Sequence, residues 1–457
     1  MSRRRTWRIV CAGVVAFVAI ASRPASVHAQ DLALPRIVSR DSTAAGMQHL
    51  VGRRVTAIEI TGHRSTKEQI ITREIHTKVG DSLGVELRYD VSRLENLGIF
   101  AEITVEGEAV GNDSVRVTFK LKEMPTWFPV ISYSYTEENG VSIGAGISSV
   151  NLTGRDLSVS ARAYTGGTEQ QWARISWPWI SGDHNSFDFY GAHLARQDVL
   201  RGFRELSQEF TPEVGTALSE HSWVRAKFSA FNMSSDTAGI TLSANNEDQL
   251  IRLGGSIGWD TRDSWINPRQ GWKNEVEVWR TGGWLGGDGD WWTGTFDVRT
   301  WQPLTARTKI LISGLATIQS GTLGEQVPVY MNYKLGGANS VRGYAITDHE
   351  EQYSGKNQMI GTAEYSWAAI APRRFDLWKI SLKLGAEFAA FGDAGIAWSE
   401  RGDLRLPRAR GGIGAGLRLL VPGSEMVRLD WGWSPQGGLQ FHFATGTKPV
   451  AQRNRVR

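Results

Sequence analysis

The chain is nearly free of cysteine: Cys11 is the only one in 457 residues. It lies in an N-terminal apolar run, and the Arg8-Ile9-Val10 that precedes it is not a lipid-attachment setting. With no second cysteine there is no disulfide and no thiolate metal site, so the fold must hold without staples. Prolines are few, at 14. The nine histidines show no metal-ligand spacing, and no Gly-x-x-x-x-Gly-Lys-Ser/Thr loop exists. Neither a metal nor a cofactor is expected. Long apolar runs are missing too. Ile9 to Ala21 is too short to span a bilayer as a helix, and the mean hydropathy is −0.28. This is no helical membrane protein. Excess charge is also lacking. The formal +4 comes from the N-terminus, because losing the five arginines of residues 1–29 leaves 46 basic against 47 acidic residues. That balance gives no support for nucleic-acid binding.

What the chain has is glycine and tryptophan, 51 and 19 of them. That composition suits a β-barrel with aromatic girdles, and a secreted β-sandwich array is the competing fold. Arg3, Arg4, Arg5 and Arg8 precede the Ile9–Ala21 run, and Val27-His28-Ala29 offers a small-residue cleavage site before Gln30. Residues 1–29 are therefore expected to be a signal peptide. Residues 30–52 are polar and patternless and read as a flexible leader.

Residues 53–123 read as a compact α+β unit. Val55 to Ile60 alternates like a strand and ends at Thr61-Gly62. Ser65 or Thr66 is a candidate cap for a helix carrying Ile70, Ile71 and Ile75. After the Gly80-Asp81 break, Leu87, Val91, Leu94 and Leu97 mark a second helix, stopped by Gly98. Phe100–Glu106 and Val115–Leu121 add two strands. The order is β-α-α-β-β, and about 70 residues bury only a small core. With Gly80-Asp81 and Leu97-Gly98-Ile99-Phe100 at its joints, this unit resembles a polypeptide-transport-associated (POTRA) domain. The resemblance implies a periplasmic module that guides client chains by strand addition. His63 departs from the asparagine often found after the glycine.

From 124 to 443 the pattern changes to period-two runs separated by turns. From Asp156 to Tyr164, Leu157, Val159, Ala161 and Ala163 share one face. From Gly412 to Val421, Ile413, Ala415, Leu417, Leu419 and Val421 oppose Arg418. Val427, Leu429, Trp431 and Trp433 oppose Arg428 and Asp430, and Leu439, Phe441 and Phe443 oppose Gln440 and His442. A membrane barrel with a polar lumen demands this alternation. A soluble sandwich shows it as well, so alternation alone does not choose. Export, tryptophan and length favour a transmembrane antiparallel β-barrel. Roughly 320 residues at about 20 per strand and turn allow about 16 strands.

One stretch breaks the pattern: Leu335-Gly336-Gly337-Ala338-Asn339-Ser340-Val341-Arg342-Gly343-Tyr344. Three glycines surround one arginine, and later strands carry Glu364, Glu387 and Asp393 on the face opposite their apolar residues. Asp393 stands among small residues in Phe391-Gly392-Asp393-Ala394-Gly395. A loop folded into the lumen would set Arg342 against Glu364 and Asp393, where a planar guanidinium suits carboxylates. Such a clamp would fix the loop rather than do chemistry.

Val341-Arg342-Gly343-Tyr344 resembles the Val-Arg-Gly-Phe/Tyr signature of the BamA/TamA superfamily, with Gly336, Gly337 and Ser340 as its lead-in. Phe391 to Gly395 is similar to the family's Phe-x-Asp-x-Gly strand motif, and Glu364 to the strand glutamate between the two. Asn151-Leu152-Thr153-Gly154-Arg155 resembles an early turn, and Asp260-Thr261-Arg262-Asp263 with Pro268 and Gly271 a mid-barrel segment. The resemblance implies 16 strands, a plug-like loop, and a seam between first and last strands. It implies insertion of β-barrel proteins into the outer membrane, or polypeptide passage across it. The partners it implies are the lipid bilayer, unfolded clients at 53–123 and periplasmic accessory proteins.

Only one POTRA-like unit is present, which favours a minor paralogue. Gly438, Phe441 and Phe443 fit a terminal barrel signal, and residues 444–457 read as a disordered basic tail. No catalytic residue is expected. Gly140-Val141-Ser142-Ile143-Gly144 matches a nucleophile elbow but lies in a strand pattern. Gly286-Gly287-Asp288-Gly289-Asp290 reads as a turn rather than a calcium loop. A two-partner-type secretion channel would use the same parts. A passive pore would not need the POTRA-like unit. A lipase would need a serine and histidine paired near the membrane rim.

Overall fold

In the computed structural model the described residues are 47–181, 185–199, 201–265, 267–346, 353–377, 380–420 and 426–445. The expected signal peptide, most of the leader and the tail from 446 lie outside them.

A small domain comes first, with β1 (Arg54–Thr61), α1 (Glu68–Thr72), α2 (Glu86–Asn96), β2 (Phe100–Val110) and β3 (Ser114–Glu123). Strand β3 is central, parallel to β1 and antiparallel to β2. Its alternation explains the position: Val115, Val117, Phe119 and Leu121 are all buried, while Arg116 and Lys120 face water. Ile71, Leu87 and Leu94 of the helices close over that apolar face.

Two expectations here are corrected. The leader expected over 30–52 is packed at its end: Met47 and Leu50 are buried in the domain core, each 2.7 Å from where a Cβ on Gly107 would lie. Burying an aliphatic side chain is worth roughly 1.5–3 kcal/mol, which outweighs the polarity of its neighbours. The expected helix cap is also absent. Helix α1 starts after Lys67 with no side-chain cap and ends at Thr72, so Ile75 packs on the core from beyond it. The Thr66 hydroxyl instead donates to Glu123 at 2.5 Å.

The rest is one 16-stranded antiparallel sheet. Its first half holds β4 (Trp127–Thr136), β5 (Gly140–Ser149), β6 (Ser158–Gly166), β7 (Thr168–Trp177), β8 (Asn185–Asp198), β9 (Phe203–Ser219), β10 (Ser222–Ser235) and β11 (Glu247–Asp260). Its second half holds β12 (Gly271–Gly282), β13 (Asp290–Pro303), β14 (Thr308–Gln319), then β17 (Asn357–Leu377), β18 (Ile380–Trp398), β19 (Arg410–Leu420), β20 (Val427–Ser434) and β21 (Gly438–Thr445). Strand β14 pairs directly with β17, so the short pair β15 (Tyr333–Lys334) and β16 (Ser354–Gly355) belongs to the long connection between them. No helix among the described residues is long and apolar enough to cross a membrane.

Period-two sequence sorts the two faces. Ile131 is 94% exposed, and Ile143, Phe210, Val214, Phe388, Ile413 and Phe441 also stand out from the sheet. Lys227, Arg252, Glu364, Arg418, Arg428 and Asp430 point inward and are buried. An outward apolar band on fully paired strands is how a sheet meets lipid.

Two strand limits differ from expectation. The strand expected from Asp156 starts at Ser158, because Asn151 and Asp156 both take left-handed conformations in the preceding turn. The last strand runs to Thr445, two residues beyond the expected end.

Among the described residues no ladder joins β4 to β21. Their edges meet through side chains, Tyr135 edge-on to Phe443 with centroids 5.8 Å apart and Glu137 against His442.

Candidate functional site

The connection after β14 folds back into the lumen. Its first part carries Val327 and Met331 into an apolar cluster with Phe203, Phe231, Met233, Leu250 and Trp291 from the inner face of the sheet. Its second part is the glycine-rich stretch. Gly337 takes φ +82 and its N–H donates to the Tyr344 carbonyl at 2.9 Å, which closes the stretch on itself. Leu335, Val341 and Tyr344 then pack with Leu315, Ile360 and Ala397. The Ser340 side chain lies 3.4 Å from the Gly336 N–H, which donates to it.

That packing leaves Arg342 fully buried against the wall. Its Nε and Nη2 grip the two oxygens of Asp393 at 2.7 and 3.0 Å, and its own backbone N–H donates to Asp393 at 3.1 Å. Nη1 reaches Glu364 at 2.9 Å and Asp430 at 3.2 Å. Its guanidinium carbon lies 3.2 Å from the centre of the Phe391 ring. Gly395 leaves the room needed, since a Cβ there would sit 2.9 Å from Val341. Gly392 does not share that role: nothing lies within 4 Å of a Cβ built there.

So Arg342 meets both carboxylates expected of it, and a third, Asp430. Arg418 was not foreseen as part of the clamp. It binds Glu364 through Nε and Nη2 at 3.0 and 2.7 Å, and Asp430 through Nη1 at 2.6 Å. Arg428 stands 3.9 Å from Asp430 and donates to Asn339 of the loop. Three buried carboxylates therefore face three guanidiniums. Breaking such a set by removing one member costs roughly 3–5 kcal/mol, because the rest is left uncompensated. The parity of Arg418, Arg428 and Asp430 was readable in the sequence. Which inward charges meet is set by how the sheet curves.

The wall is cut to receive backbone. A Cβ on Gly412 of β19 would lie 1.8 Å from the Arg342 carbonyl oxygen, and one on Gly432 of β20 would lie 2.5 Å from the Gly343 nitrogen. Only glycine permits so close an approach. The Tyr344 hydroxyl ends on Gln436 at 2.7 Å. Glu387 does not join this clamp. It takes Asn267 of the β11–β12 connection at 2.9 Å and Lys309 at 3.1 Å. Arg262 in the same connection clasps Asp260, so the mid-barrel motif braces a turn and sends one residue into the lumen.

A second constellation lies at the other end of the sheet, where the small domain meets three connections. The Asn151 amide donates to Thr66 at 2.7 Å, and the Lys67 N–H donates to the Gly154 carbonyl at 2.8 Å. A Cβ on Gly154 would lie 2.1 Å from the Ser65 carbonyl oxygen. The Arg73 guanidinium covers the Trp179 ring at 3.7 Å, and Arg93 donates to Glu220 at 3.4 Å. Burial pushes the Asp156 carboxyl up to about 7, Arg73 opposes that rise and Glu74 adds to it. The early-turn motif is thus the socket for the small domain.

The remaining motifs have structural roles. Ser142 is buried in β5 and accepts the Thr168 N–H at 2.8 Å. Asp288 accepts the Gln249 N–H at 2.8 Å, and Asp290 pairs with Arg280. Among the described residues no three metal-type side chains gather. Gly438 opens β21, Phe441 faces outward, and Phe443 lies at the seam.

Residues 129–448 match the Omp85 superfamily domain. The chain belongs to the Omp85 superfamily. Residues 53–124 match the POTRA family described as a surface antigen variable number repeat. This Omp85 chain is 22% identical over 409 residues to the outer membrane protein assembly factor BamA of Nitratidesulfovibrio vulgaris, covering 85% of itself and 48% of that protein. It is 23% identical over 318 residues to BamA of Neisseria meningitidis, covering 64% of itself and 39% of that protein. It thus spans about half the length of these relatives or less. Among solved structures, BamA from Haemophilus ducreyi lacking POTRA domains 1–3 superposes with a TM-score of 0.55 at 16% identity, over 86% of this chain and 83% of that one. CdiB from Escherichia coli gives 0.53 at 15% identity, over 86% and 74%. The Omp85 barrel stands in the outer membrane with its POTRA domain in the periplasm. Since β4 leaves that domain, the Glu137 turn and the long Arg342 connection lie at the cell-surface end.

Proposed function

We propose that the protein inserts β-barrel proteins into the outer membrane or passes polypeptides across it, without catalysis and without a nucleotide. The observation that carries this reading is the seam. Strands β4 and β21 meet by side chains where every other neighbouring pair in the sheet has a ladder. Unpaired backbone at a sheet edge is a template for another strand. The POTRA domain offers a second edge. The β1 edge is covered at its start by Asp81 and Leu83, whereas β2 is the outer strand on the other side. An extended client pairs with β2, then meets the seam. Periplasmic accessory proteins are the proposed further partners.

A passive pore fits less well, because the long connection fills the lumen with the Arg342 clamp and the Met331 cluster. Depleting the protein and profiling the outer-membrane proteome tests the proposal. Loss of several barrel proteins is expected. Unchanged levels of all of them would sink the insertion reading, and loss of one secreted protein alone would favour a dedicated secretion channel.

A further inference from the structure

We infer that His442 is a latch pin that ties the seating of the Arg342 loop to closure of the seam. Its purpose rests on the proposed function, while the geometry stands by itself. His442 is on the inner face of β21 and is 1% exposed. The Gly343 N–H donates to its Nε2 at 3.0 Å. That nitrogen therefore carries no proton, and in the neutral ring Nδ1 must carry it. Nδ1 faces Glu137 Oε1 at 2.5 Å, so it donates across the seam to the turn after β4. One imidazole thus joins the loop, the last strand and the first hairpin.

The loop sets the ring, because Gly343 has little freedom. Its carbonyl accepts the Ser434 hydroxyl at 2.6 Å, and a Cβ on Gly343 would lie 2.8 Å from the Trp433 backbone. With Gly343 seated, the ring is held with Nδ1 towards Glu137. With the loop withdrawn, Nε2 loses its donor and the ring is free to turn. The Tyr135–Phe443 contact that then remains at this level is apolar and tolerant of sliding. The first hairpin has its own tether, since Glu138 stands 3.8 Å from Arg196 of β8. Strand β21 is therefore the side that moves. Coupling is reciprocal, so a seam forced open also loosens the loop.

Spin labels on Val141→Cys and Leu439→Cys test this. Both positions are outward and exposed, one on each side of the seam, and Cys11 is the only native cysteine. In the full chain in liposomes the wild type is expected to give one short distance. His442→Phe is expected to raise a longer-distance population by roughly tenfold, the scale for losing a hydrogen bond to a charged group. Glu137→Gln, which keeps shape and volume, is expected to act in the same direction with unchanged heat-modifiability on gels. Asp393→Asn, which weakens the loop clamp without touching the seam residues His442 and Glu137, is expected to lengthen the distance too. Combined with His442→Phe it adds nothing beyond the larger single effect. Wild-type distances in both His442→Phe and Glu137→Gln overturn the latch, and full additivity of Asp393→Asn with His442→Phe overturns the coupling. Because the readout is a distance, a failed depletion experiment leaves this result standing.

Discussion

The barrel is gripped at its two ends by different physics. At the cell-surface end the Arg342 loop is held by three carboxylates and three guanidiniums, with Arg342 fully buried and its backbone pressed against glycines. At the periplasmic end the POTRA domain is held by neutral hydrogen bonds at Thr66 and Lys67, a stacked Arg73, a half-exposed Arg93–Glu220 pair, and two carboxyls, Asp156 and Glu74, that burial keeps from ionising readily. Charges withdrawn from water and fully paired resist partial release, since losing one partner strands the others. Neutral hydrogen bonds are each worth about 0.5–1.5 kcal/mol and are readily exchanged with water. The comparison therefore sets a stiff clamp against a releasable joint.

Arg342→Ala should produce the largest effect. It leaves Asp393, Glu364 and Asp430 short of a shared partner, at a cost of roughly 3–5 kcal/mol. The expected result is a heat-modifiability midpoint well below the wild type, with lower function. Arg342→Lys keeps the charge but not the fork that spans both Asp393 oxygens, so it should fall between the two. A wild-type midpoint in Arg342→Ala would remove the distinction between the ends.

Gly412→Ala comes next and isolates geometry from charge. The added Cβ would sit 1.8 Å from the Arg342 carbonyl oxygen, which is backbone and has little room to move. Overpacking of this kind costs roughly 1–3 kcal/mol. Gly392→Ala is the matched control, because its Cβ meets nothing within 4 Å. Equal gel midpoints in the two variants would show that the loop does not need a glycine-lined seat.

The clamp was more legible in the sequence than the joint, for a physical reason. Strand alternation assigns each residue a face, so Glu364, Asp393, Arg418, Asp430 and His442 could all be placed inward. Arg342 in a glycine-rich loop then asks for carboxylates. The partners beyond Glu364 and Asp393 were not readable, because residues far apart in the chain meet only once the sheet curves. The seat glycines Gly412 and Gly432 were hidden among 51, while Gly392, next to Asp393 in the motif, meets nothing. At the joint no period applies. Thr66 looked like a helix cap and instead faces Glu123 and Asn151. Leu50 looked like leader and instead lies in the core. Small domains and turns are organised by single contacts, and single contacts leave no repeating trace.

The smallest expected effect is a pH dependence at the joint. Asp156 has an ordinary value of 3.8 and is raised to about 7 with the POTRA domain in place, chiefly by burial. Docking therefore favours the protonated form. The joint is strongest below about pH 4, weakens as pH rises from 3.8 towards 7, and keeps a constant penalty above that. Asp156→Asn removes the group that ionises while keeping its size. It should strengthen docking at pH 8 by roughly 1–3 kcal/mol and reduce the dependence to the part carried by Glu74, which burial also raises. Limited proteolysis between β3 and β4 measures it, with slower cleavage of the variant expected at pH 8 and equal cleavage at pH 4. If wild type and variant were cut equally at both values, burial would not be what distinguishes Asp156.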